Sequence, residues 1–130
     1  MSVTGIGVDL VAVARIEAAL ERHGRRFVER VCCASETVSG SPGPQRLAGL
    51  FAAKEAVLKA LGTGWAEGLA FHQIEVARDD RGAPGVRLHG VASRRAEALG
   101  VTRIHLSISH DGGMAVAVAV LESGPPQRLH

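Results

Sequence analysis

The chain has no tyrosine, one tryptophan and three phenylalanines in 130 residues. Proteins that hold single-stranded nucleic acid use aromatic side chains as stacking platforms, and this sequence has none to offer. The core has to be built from Ala, Val, Leu and Ile, within a hydrophobic fraction of 46%. Cysteine is scarce too: Cys32 and Cys33 are the only two, and they are neighbours. Adjacent cysteines rarely bridge, and no Cys or His spacing matches a zinc site. Reduced thiols predict a cytoplasmic chain. No apolar run approaches the roughly 18 residues of a membrane span, and the N-terminus lacks a signal pattern, so no membrane partner is expected. Lysine occurs only as Lys54 and Lys59; every other base is arginine. A net charge of +2 and a pI near 8.9 suit an acidic partner or a phosphate-bearing ligand, not a nucleic-acid coat.

A chain of this length suits one domain and buries roughly two thirds of its unfolded surface. The expectation is a domain over 1–122 and a polar, flexible tail over 123–130. The first strand is predicted over 3–10, with Gly5 and Gly7 inside it. Glycine within a strand marks a bulge or a close backbone approach, and the full dinucleotide fingerprint is absent. Asp9 is an acid at the end of this apolar strand, either a cap or turn former or a ligand. A helix over 13–23 turns Val13, Ile16, Ala19 and Leu20 inward and stops at Gly24. Arg15, Arg22, Arg25 and Arg26 follow its outer faces, which by themselves read as solvated. A short helix over 27–31 and a glycine-proline loop over 39–45 come before the central segment.

Residues 46–64, RLAGLFAAKEAVLKALGTG, read as one long helix entering a glycine turn. Leu47, Leu50, Phe51, Val57, Leu58 and Leu61 form one stripe. Gly49, Ala52, Ala53, Ala56 and Ala60 form a small opposite face that can lie close to a sheet. A helix apolar all round is a buried one, yet Lys54, Glu55 and Lys59 sit on it. Burying a charge costs several kcal/mol, roughly, unless a partner or metal compensates it. Glu55 and Lys59 can form a helical pair, but that is worth only about 0.2–0.5 kcal/mol. The alternative is a site, with a carboxylate for a cation, a lysine for an anion and a glycine turn for phosphate.

Past a stretch at 65–68, strands are expected over 73–78 and 86–89, joined by a turn at 79–82. A helix over 91–99 ends at Gly100. The strand over 103–109 turns Ile104, Leu106 and Ile108 one way and His105, Ser107 and Ser109 the other. No nucleophile elbow accompanies those serines, so they read as a polar sheet face. A turn at 110–113 leads to MAVAVAVL over 114–121, expected as a fully buried strand.

GIGVDLVAVARI, RLAGLFAAKEAVLKALGTG and LSISHDGGMAVAVAVLE together resemble the holo-acyl-carrier-protein synthases, the small phosphopantetheinyl transferases. The resemblance spans about residues 5–122. It implies transfer of the phosphopantetheine arm of coenzyme A to a serine of an acyl carrier protein, releasing adenosine 3′,5′-bisphosphate. It implies a divalent cation, magnesium with manganese as the alternative, held by Asp9 and Glu55. Lys59 falls on the family's catalytic lysine. Gly62, Thr63 and Gly64 in the turn, and Ser107, Ser109 and His110 in the SISH segment, fall on the coenzyme A site. Arg46 falls near the nucleotide phosphates. The family fold is α+β, an antiparallel sheet packed against a long helix, usually a homotrimer with active sites between subunits. Carrier docking is implied at the first helix, on Arg15, Arg22, Arg25 and Arg26.

Phosphoryl transfer asks for positioning and charge neutralisation, and magnesium takes one or two carboxylates, so these residues suit the chemistry. Glu55 or a metal-bound water is the candidate base for the serine proton. Cys33 where the family often has threonine, the missing tyrosine and the loop over 39–45 depart from the family pattern. They bear on carrier preference more than on chemistry. A non-catalytic module that binds carrier or coenzyme A is the competing reading, and it has no need of the carboxylate pair.

Overall fold

The computed structural model describes residues 2–64 and 68–125. Strand β1 (Ser2–Ala12) leads into helices α1 (Val13–His23) and α2 (Arg25–Val31), separated by Gly24 at a φ of 53°. A 3-10 turn, Ala34–Thr37, comes before the central helix α3 (Pro44–Leu61). A second such turn, Phe71–Gln73, opens a hairpin of β2 (Ile74–Arg78) and β3 (Pro84–Leu88). Helix α4 (Gly90–Ala98) leads to β4 (Val101–Asp111) and β5 (Met114–Ser123). The architecture is α+β with antiparallel sheets, as expected. The strands divide into a three-stranded sheet ordered β1-β5-β4 and the separate β2-β3 pair.

Helix α3 starts two residues before Arg46, because Pro44 suits a first turn whose N–H groups need no helical partner. Its large and small faces are both buried, with Phe51 half-buried at the border. The small face receives β1. A Cβ on Gly5 would lie 2.1 Å from the Ala60 carbonyl oxygen, and one on Gly7 would lie 2.0 Å from that of Ala56. Any side chain there would push the strand off the helix, so the glycines serve the close approach. A register shift between Val3 and Gly5 adds the bulge.

The expected four-residue turn contracts to Gly112 and Gly113, at φ of 56° and 76°. A two-residue hairpin turn with both φ positive matches the twist of its strands, so His110 and Asp111 stay on β4. The expectation of a fully buried β5 is corrected. Ala115, Ala117, Ala119 and Leu121 are buried, but Val118 is exposed. Helix α3 covers one face of this sheet, and β3 and α4 also pack on β4. On the other face Ile6 is 68% and Leu10 60% exposed, beside Val3, Val8 and Val118.

Residues 65–67, within the stretch after the glycine turn, and 126–130, most of the expected tail, lie outside the described residues. No described helix is long and apolar enough to cross a membrane.

Candidate active site

Alternation along β1 turns Gly7 and Val11 toward the interior and Ile6, Val8 and Leu10 outward. Asp9 shares the inner side with the two glycines. It does not cap α1, whose N-cap is Ala12. Because β1 lies tight on α3, Asp9 meets the last turn of that helix. Lys59 Nζ donates to Asp9 Oδ1 at 2.9 Å and to the Val8 carbonyl at 3.1 Å. The lysine side chain is 52% exposed and the aspartate 16%. The ion pair of Lys59 therefore crosses from helix to strand. Glu55, one turn earlier on α3 and half-buried, lines a cleft of about 240 Å³ with Phe27, Arg30, Phe51 and Phe71.

No three His, Cys, Asp or Glu side chains gather as a ligand set among the described residues. A pair of carboxylates, one on β1 and one on α3, is nevertheless what magnesium needs from a protein, since water and phosphate oxygens complete its octahedron. Asp9 and Glu55 flank the same lysine and fit that donor set.

A second group lies at the other end of α3. Arg46 and His110 line a cleft of about 560 Å³ together with Glu36, Gln45, Arg78 and Ile108. Arg46 Nη2 donates to the Glu36 carbonyl at 2.9 Å. His110 Nε2 lies 2.8 Å from the Gln45 carbonyl oxygen. Its ring rests on Gly49, where an added Cβ would come within 3.1 Å of it. Thirteen residues separate Arg46 from Lys59, about 20 Å along a helix. Within the chain the two groups stay at opposite ends of α3.

The other expected coenzyme A residues divide in the same way. Ser107 and Ser109 are exposed on the outer face of β4, where His105 pairs with Glu122 Oε1. His110 is on the α3 side of the same strand. Gly62, at φ 73°, caps α3, and its N–H donates to the Leu58 and Lys59 carbonyls. That N–H serves the helix end, which limits the phosphate role expected of the turn. Thr63 Oγ1 donates to the Gly64 carbonyl at 3.1 Å, and Gly64 is also left-handed at φ 56°.

Arg15, Arg22, Arg25 and Arg26 are all exposed on α1 and α2. Arg15 Cζ stands 5.8 Å from the Phe51 ring centroid, which places it beside the turn of α3 that precedes Glu55. Arg30 joins them, lining the Glu55 cleft from α2. The spacing Arg26–Arg30, four apart on one helix, was the available signal. Lys54 and Glu36 were the larger omission. Lys54 is fully buried, and its Nζ sits 2.7 Å from Glu36 Oε1. A lysine on an all-apolar helix called for a buried acid, but nothing local named Glu36. Cys33, next to this pair, is pushed up to about 11 by burial, which leaves an unreactive thiol at neutral pH.

Residues 5–119 match the family model of the 4′-phosphopantetheinyl transferase superfamily. The chain belongs to this superfamily. It is 54% identical to the holo-[acyl-carrier-protein] synthase of Solidesulfovibrio magneticus, over 92% of this chain and 98% of that protein. The crystal structure of the synthase from Neisseria meningitidis superposes with a TM-score of 0.86 at 31% identity, covering 94% of this chain and 100% of that one. The Helicobacter pylori synthase, solved in complex with coenzyme A, gives 0.81 at 36% identity, covering 90% and 99%.

Proposed function

We propose that this transferase moves the phosphopantetheine arm of coenzyme A to a serine of an acyl carrier protein, at a site completed by a second copy of the chain. The observation that carries the reading is Lys59 bridging from α3 to Asp9 with Glu55 one turn away. Asp9 and Glu55 would hold a magnesium ion, which supplies charge neutralisation on the pyrophosphate of coenzyme A. An exposed ion pair is worth about 0–1 kcal/mol, so Lys59 can leave Asp9 for a phosphate oxygen at little cost. Its ammonium then offsets charge on the departing adenosine 3′,5′-bisphosphate. Glu55, or a metal-bound water beside it, would take the serine proton.

Arg46 and His110 are proposed to hold the nucleotide. The phosphates of one coenzyme A are joined through a single ribose, and they cannot span about 20 Å of helix. Arg46 and His110 of one copy would therefore meet Asp9, Glu55 and Lys59 of another. The outer sheet face around Ile6, Val8 and Leu10 is the surface such an assembly would cover. A homotrimer with sites between subunits is the reading, in the cytoplasm, where the free Cys32 and Cys33 stay reduced. Carrier protein would dock on Arg15, Arg22, Arg25 and Arg26, with Ser107, Ser109 and residues 62–64 completing the coenzyme A site.

The test is one incubation with apo-acyl carrier protein, coenzyme A and magnesium, read by mass spectrometry. The carrier serine should gain the phosphopantetheine arm. Binding of carrier or coenzyme A with no mass gain would favour a non-catalytic module.

A further inference from the structure

We propose that the buried Glu36 carboxylate is the positioning residue of the Arg46–His110 cleft, holding its walls in place for the nucleotide end of coenzyme A. The inference rests on the reading of that cleft given above. Three of its walls come from separate elements: the 3-10 turn with Ser35 and Glu36, α3 with Arg46, and β2 with Val76 and Arg78. All three meet on Glu36. Its Oε1 accepts from Lys54 Nζ of α3 and from the Cys33 backbone N–H, each at 2.7 Å. Its Oε2 accepts from the Val76 backbone N–H of β2 at 2.7 Å. Its own carbonyl accepts from Arg46 at 2.9 Å. Lys54 adds a bond to the Val31 carbonyl at 2.6 Å, so the end of α2 is tied in as well.

The β2-β3 hairpin needs such an anchor. It is not hydrogen-bonded to the three-stranded sheet, and an isolated two-stranded hairpin is marginal. Ile74 and Val76 of β2 are buried, and Val86 and Leu88 of β3 pack against the core beside β4, so apolar contacts hold the hairpin near α3 while polar ties to the segment before α3 set its register. Ser35 Oγ donates to Glu75 Oε2 at 2.6 Å, and the Cys33 thiol donates to the His72 carbonyl at 3.0 Å. The Ser35 hydroxyl and the His89 ring hold Glu75 below the usual carboxylate range. Among these ties, Glu36 is the carboxylate that also reaches α3, as the counter-charge of Lys54. Apolar burial is non-directional and permits sliding, whereas a carboxylate with both oxygens engaged fixes register. Stability alone gives little reason for the pair, because apolar residues of similar volume often replace a buried ion pair without loss.

The test uses the full chain with apo carrier protein, coenzyme A and magnesium. Glu36→Leu with Lys54→Met removes both charges together with the acceptor for Val76. Its KM for coenzyme A should rise about five-fold, the size of a lost neutral hydrogen bond, while its KM for carrier moves less than about two-fold. Glu36→Gln with Lys54→Met returns a neutral acceptor to Val76 and should recover most of the coenzyme A KM. A packing role alone would shift the melting temperature without this split or this rescue. A wild-type coenzyme A KM in both double variants overturns the inference. Arg46→Ala is measured beside them. If it raises the coenzyme A KM while the double variants do not, the positioning role fails and the nucleotide cleft stands. If it too is silent, the cleft is not the nucleotide cleft, and the inference falls with that reading. If the double variants do not fold, amide exchange on the wild type decides. Adenosine 3′,5′-bisphosphate should slow exchange at the Val76 N–H, and an unchanged rate overturns the positioning role.

Discussion

Lys54 and Lys59 stand five residues apart on one helix, and each reaches a carboxylate, at 2.7 Å and 2.9 Å. Their bond lengths are alike and their surroundings are opposite. Lys54 has no exposed surface, while the Lys59 side chain is half in water. Around Lys59, water offers the ammonium an alternative, so its bond to Asp9 is cheap to exchange. Around Lys54 there is no water to take over, and losing Glu36 leaves the buried ammonium with the neutral Val31 carbonyl and Cys33 sulfur and no counter-charge. Distance thus says little about what an ion pair does. One end of α3 buries its lysine and ties neighbouring elements to it, and the other leaves its lysine in exchange with water.

The largest expected effect is at the buried end. Lys54→Ala or Glu36→Gln alone should cost about 3–5 kcal/mol, because each leaves an uncompensated buried partner. Differential scanning calorimetry should then show a fall in Tm on the order of 10–20 °C. A melting curve that matches the wild type would break the comparison, since burial would not have separated the two lysines.

Next comes the exposed end, where stability and activity should part. Lys59→Ala should cost less than about 1 kcal/mol of stability, as exposed pairs do. Its turnover should nevertheless fall about 10²-fold, the scale for a group that stabilises transition-state charge. Lys59→Arg should rescue poorly, since a planar fork does not replace a compact ammonium. Asp9→Asn and Glu55→Gln should likewise fold and lose most turnover, most visibly at limiting magnesium. Steady-state rates set against Tm for the same preparations check this. Unchanged kinetics in Lys59→Ala would make its pair with Asp9 a structural contact like that of Lys54.

The smallest effect sharpens the comparison at fully exposed charges. Arg15→Glu with Arg22→Glu should raise the carrier KM about ten-fold at low salt and leave the coenzyme A KM alone. The difference should shrink as ionic strength brings the Debye length to about 8 Å. An equal carrier KM at low salt would return these arginines to a solvated face.

Much of the fold was legible because its signals are local. The all-round apolar stretch at 46–64 announced a buried helix, and the glycines at 5 and 7 announced a close approach. Alternation assigned the faces of β4, including the outward turn of Ser107 and Ser109. The boundary errors also have local causes: Pro44 opens α3 early, and two left-handed glycines shorten the turn after His110. The β5 error was of a different kind. A strand of alternating Val and Ala is apolar on both sides, and only the layer order says which side is covered.

The sequence alone supplied the candidate site residues, Asp9, Glu55 and Lys59, and the motif order that the resemblance rests on. A short motif carries its own chemistry, because spacing on one helix is set by 3.6 residues per turn. Only the tertiary structure decided the pairings. Glu36 and Lys54 are 18 positions apart, and Asp9 and Lys59 are 50 apart. Which acid meets which lysine follows from how β1 and the 3-10 turn lie on α3. The same packing leaves Arg46 and His110 at the far end of that helix, a separation that no motif spacing records.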